Sequence, residues 1–77
     1  MTTTTAEARA RAMIKAKTTR QLIDTFVLTS TNNDPNIYTV RGWLMDELES
    51  RSPETFEAWL LSDDSFHDET LYEYYNC

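Results

Sequence analysis

The chain has 77 residues, a formal net charge of −6 and a mean hydropathy of −0.57. That length holds one hydrophobic core, and burying only about 60% of the unfolded surface leaves such a domain modestly stable. The single cysteine, Cys77, excludes an intramolecular disulfide and the Cys/His quartet of a structural zinc, and no apolar run approaches the roughly 18 residues of a membrane span.

The opening Met-Thr-Thr-Thr-Thr-Ala has neither the basic start nor the apolar stretch of a secretory leader. With one cysteine besides, a cytoplasmic location away from membranes is expected. Residues 1–5 read as a flexible threonine tail, and 6–77 as a single helical domain. Thr4 and Glu7 have the spacing of a capping box ahead of an alanine-rich basic stretch, 6–17. Thr18 and Gln21 repeat it, so a second helix starts there or the first kinks and continues; Leu22, Ile23, Phe26 and Val27 share one of its faces. Residues 29–34, Thr-Ser-Thr-Asn-Asn-Asp, form a loop. Asp34-Pro35 then reads as an N-cap with proline at the first helical position of a long helix, 35–50. Ser52-Pro53-Glu54 opens a shorter helix to Leu61, residues 62–65 make a turn, and 66–75 suit a last helix. No segment alternates like a strand. The expected fold is all-α, a compact bundle of four or five short helices, with Leu22, Phe26, Ile37, Leu44, Leu48, Phe56 and Leu60 as its core.

Charge divides along the chain: residues 1–42 carry a net +3, and 43–77 a net −9 with Arg51 as their only cation. Such polarity suits either an acidic binding face or two halves that attract each other within one fold. Asp64, His67 and Asp68 at helical spacing could approach a divalent metal. Two hard oxygens and one imidazole are an incomplete set, however, and a solvated acidic turn is the favoured reading, so no metal or cofactor is expected. Without a glycine-rich phosphate loop, a nucleophile elbow or a partner that orients His67, no enzymatic activity is expected either. Arg9, Arg11, Lys15, Lys17 and Arg20 spread around their helix rather than lining one side. Direct nucleic-acid binding is therefore not expected. The opposite arrangement, Asp64, Asp68 and Glu73 stepping along the last helix at about 6 Å, would imitate the phosphate spacing of a nucleic-acid strand.

The long helix is the most informative segment. At about 100° per residue, Val40, Leu44, Ile37, Leu48, Met45 and Tyr38 gather into one arc with Arg41 inside it, while Trp43 falls nearly opposite. Arg41 either pairs with a carboxylate or, with Trp43, anchors a partner, since Trp and Arg are favoured at interfaces. Gly42 within a helix is explained most simply by a second helix crossing closely, with Trp43 packed along it. A methyl group at that position would then destabilise the domain.

The stretch Thr39-Val-Arg-Gly-Trp-Leu-Met-Asp-Glu-Leu-Glu49, followed by Arg51-Ser-Pro-Glu-Thr-Phe-Glu-Ala-Trp59, resembles small uncharacterised proteins of phages and other mobile elements of Gram-positive bacteria. The likeness covers residues 18–61 and transfers no functional residue. What it implies is an accessory or host-interaction protein, inhibitors of host defence included. Two expectations follow. The first is a non-enzymatic module that binds a protein partner through Arg41, Trp43, Tyr72, Asp64, Asp68 and Glu73; the second is an acidic nucleic-acid mimic occupying a basic groove of a defence or DNA-processing protein.

Overall fold

The computed structural model describes the backbone of residues 2–77 and the side chains of 6–77. Five α-helices follow one another: α1 (Thr2–Ala16), α2 (Thr19–Thr29), α3 (Ile37–Arg51), α4 (Pro53–Leu60) and α5 (Leu71–Tyr74). Two 3₁₀ turns, Asp63–Phe66 and Asp68–Thr70, join α4 to α5, and no strand occurs among the described residues. The all-α bundle holds.

Local chemistry sets most of the boundaries. Helix α1 begins at Thr2, inside the expected tail, and the expected Thr4 cap falls on a side chain outside the described ones. The break between α1 and α2 follows the second capping box: Thr18 Oγ1 accepts from the Gln21 amide (3.1 Å) and Gln21 Oε1 accepts from the Thr18 amide (3.0 Å). Arg51 strengthens that junction. Its guanidinium donates to the carbonyls of Ile14 (3.4 Å), Lys15 (3.3 Å) and Lys17 (2.7 Å), and to Thr19 Oγ1 (3.2 Å). The only cation of residues 43–77 thus caps carbonyls at and just beyond the negative end of α1. Asp34 does not cap the long helix directly. Its carboxylate accepts from the Asn36 amide (2.9 Å) in a turn that delays the helix to Ile37.

The core collects Ile14, Leu22, Ile23, Phe26, Leu44, Leu48, Phe56, Trp59 and Leu71. Five of the expected members, Leu22, Phe26, Leu44, Leu48 and Phe56, lie there, but Ile37 is only half-buried and Leu60 is 46% exposed. Helix α4 is turned so that Trp59, not Leu60, points inward. The Trp59 ring meets Phe26 edge-on at 6.2 Å and Phe56 tilted at 5.8 Å, a geometry that adds to its area burial.

The expected helix over 66–75 is replaced by the 3₁₀ turns and short α5. The chain is extended at His67 (φ −128°, ψ 99°), so Asp64, His67 and Asp68 do not share a helical face, and Asp64, Asp68 and Glu73 do not step along one helix. Tertiary partners outweigh helix continuity here. Trp59 Nε1 donates to Thr70 Oγ1 (2.9 Å), Tyr74 donates to Asp64 Oδ2 (2.9 Å), and Tyr75 donates to the Leu48 carbonyl (2.7 Å). Asn76, at φ 60°, closes α5 with a left-handed residue, the Cys77 amide reaching back to the Tyr72 carbonyl at 2.9 Å.

Gly42 requires a correction. A Cβ built there meets nothing within 4 Å, so no second helix crosses at this point. Alanine then keeps its intrinsic helical advantage, and Gly42→Ala is expected to stabilise the domain by about 0.8–1.0 kcal/mol. A urea midpoint that rises at matched slope meets this expectation; an unchanged or lower midpoint contradicts it.

Candidate functional site

Arg41 and Asp68 meet at the centre of one face. Arg41 Nη1 donates to Asp68 Oδ2 (3.0 Å) and Thr29 Oγ1 (2.6 Å), and Nη2 donates to Asp68 Oδ1 (3.3 Å). The guanidinium also lies 4.2 Å from the Phe26 ring centroid, a cation–π contact strengthened by partial desolvation. The position of Arg41 inside the apolar arc is thereby explained: its guanidinium covers the Phe26 ring while tying α2, α3 and the Asp68–Thr70 turn together. At side-chain exposures of 24% and 11%, the pair is held within the fold rather than offered as a free anchor.

This pair forms part of the wall of a cleft of about 410 Å³ between the end of α2, the start of α3 and the 3₁₀ turns. Tyr38 and Phe66 line it while remaining 79% and 83% exposed. Glu69 also borders the cleft, with His67 Nδ1 3.9 Å from its carboxylate. Both aromatics are solvated for identifiable reasons. Tyr38 belongs to the apolar arc but sits in the first turn of α3, beyond the reach of α4; Phe66 ends a 3₁₀ turn that closes on its own backbone.

The other expected site residues lie apart from this cleft. Trp43 is half-buried against the core with the Arg11 guanidinium 5.8 Å from its ring centroid, and Arg11 in turn reaches Asp46 at 3.4 Å. Tyr72 donates its hydroxyl to Asp24 on α2, while Arg20 stands 6.0 Å from its ring centroid. Donation to the Asp24 carboxylate holds the Tyr72 phenol above its ordinary pKa. Asp64 is taken up by Tyr74, and Glu73 is exposed. Of the six expected residues the structure brings together only Arg41 and Asp68. Sequence reasoning passed over Tyr38, counted into the core arc, and Phe66, assigned to a helix that does not form.

Among the described residues no group of three or more His, Cys, Asp and Glu side chains is placed to share a metal ion. No buried polar side-chain atom among them lacks a hydrogen-bond partner, and none of their helices is long and apolar enough to cross a membrane. No family model, curated protein or solved structure matches the chain.

Burial and the nearby Glu49 push the Tyr75 phenol up to about 12. A folded pKa above the ordinary value of 10.0 means that the folded state holds the proton more tightly. The stabilising contribution is complete below pH 10 and is lost as pH rises through about 12. Alkaline unfolding curves should show this loss, and Tyr75→Phe should flatten it; an unchanged alkaline slope in the variant would remove Tyr75 as its source.

Proposed function

We propose that the protein is a non-enzymatic interaction module that binds a protein partner over the Tyr38–Phe66 cleft. The observation that carries this reading is the pair of large aromatics, more than three-quarters exposed, flanking a concavity in a domain whose other aromatics are mostly drawn into packing or hydrogen bonds. Two exposed rings beside one concavity make a local apolar patch whose burial would favour association, and aromatics are favoured as interface anchors. Beneath them, Arg41, Thr29 and Asp68 already satisfy one another, which suits a preformed surface. With the resemblance of residues 18–61 to proteins of mobile elements, the proposed setting is an accessory protein acting on a component of its bacterial host, in the cytoplasm.

Affinity capture from a host lysate tests the reading when wild type is compared with Tyr38→Ala/Phe66→Ala and with Met13→Ala, an exposed apolar residue on α1. A specific protein retained by wild type and Met13→Ala but lost from the double variant, with helicity intact, supports it. Equal retention by all three chains contradicts it.

Imitation of nucleic acid is the second reading. It is favoured by one observation: of the ten carboxylates in residues 43–77, only Glu47 and Asp68 are even half-buried. The two readings differ in salt dependence. A mimic releases its partner steeply as salt rises, whereas an aromatic-anchored interface does so weakly.

A further inference from the structure

We infer that the Tyr38–Phe66 cleft receives an arginine side chain presented by a basic segment of the partner protein. This rests on the interaction reading above and specifies its chemistry. The concavity is bordered by two exposed aromatic rings and by Glu69, whose side chain is 66% exposed and approached only distantly by His67. The two other charges of its wall, Arg41 and Asp68, cancel as a pair, so Glu69 leaves the cleft with a net negative charge.

An aromatic face attracts a cation through its quadrupole, and a guanidinium both stacks on such a face and forks onto a carboxylate. An acidic segment would meet Glu69 and the surrounding net charge of −6 with Arg41 already engaged, which disfavours it. A second copy of this chain pairing face to face would bring the same negative charge to this cleft. Charge complementarity therefore selects a cationic occupant. The planar geometry of arginine exploits rings and carboxylate together, where the ammonium of lysine acts as a point charge.

The test is a titration of the full chain with the peptide acetyl-Gly-Arg-Gly-Arg-Gly-amide, followed by backbone amide NMR shifts, with peptides carrying Lys or Glu in place of Arg as further arms. Shifts should concentrate in residues 30–41 and 65–69, and the Lys peptide should bind more weakly. Phe66→Ala and Glu69→Gln should each weaken the Arg peptide by about five- to tenfold. Glu57→Gln, which removes a charge from exposed α4, should change it less than about twofold. All three positions are exposed, so the variants should keep the wild-type spectrum elsewhere.

Shifts scattered over the acidic surface, or equal weakening by Glu57→Gln, would overturn the inference in favour of diffuse charge attraction. Tighter binding of the Glu peptide, or self-association of the chain through this face, would overturn it as well. Capture that depends on Tyr38 and Phe66, combined with failure of the Arg peptide, would sink the arginine assignment and leave the interaction reading standing.

Discussion

Leu44→Ala is expected to lower the unfolding free energy by about 2–5 kcal/mol, the largest single effect foreseen for this domain. Leu44 is fully buried and, with Leu48, forms the inward ridge of α3 against α2 and α4. Truncation loses the transfer free energy of the deleted carbons and leaves a cavity in a core whose Phe26 and Trp59 rings are fixed against each other. A domain this small has total stability at the low end of about 5–15 kcal/mol. The variant should therefore unfold at a much lower denaturant concentration, or be partly unfolded without denaturant. An unchanged midpoint would mean that α3 presents a different face to the core.

Arg41→Ala should produce the second-largest loss, about 2–3 kcal/mol. Three consequences combine. The Asp68 carboxylate, with 11% of its side chain exposed, loses its cation; the contact with Phe26 disappears; and the turn Asp68–Thr70 loses its tie to α2 and α3. The loss should stay below the roughly 3–5 kcal/mol seen when fully buried pairs are broken, because water reaches both partners. A cycle with Asp68→Asn separates the pair from the packing contribution: the double variant should be destabilised by clearly less than the two single losses together. Additive losses would show that the pair itself contributes nothing.

The folding of the first four helices was largely legible in the sequence because their signals are local. The Thr18–Gln21 capping box, the Pro53 start and the apolar spacing of Leu22, Phe26, Leu44 and Leu48 each depend on residues within a turn or two. Beyond Leu61 only the turn expected at 62–65 was legible in that way, Ser62 Oγ accepting from the Asp64 amide; the helix expected over 66–75 does not form. The path of 66–75 follows from distant demands, namely an acceptor for Trp59 Nε1, a carboxylate for Arg41 and a carbonyl for the Tyr75 hydroxyl, and no local pattern records these. Gly42 was misread for a related reason, since a mid-helix glycine looks the same in sequence whether it faces a neighbour or open solvent. The cleft was half legible. Arg41 drew attention as a cation in an apolar arc, but the exposure of Tyr38 and Phe66 depends on where α3 starts and on the break at His67.

The claim that joins fold to function is that the face between the end of α2 and the 3₁₀ turns is the partner-binding surface. Amide hydrogen exchange, measured on the free chain and on the chain bound to its captured partner, addresses it directly. The account predicts that added protection concentrates in residues 30–41 and 65–69, with α1 and the outer face of α4 exchanging as in the free chain. Protection centred on α1 and the Trp43 side of α3, or on α4 near Leu61, with the cleft unchanged, would contradict it.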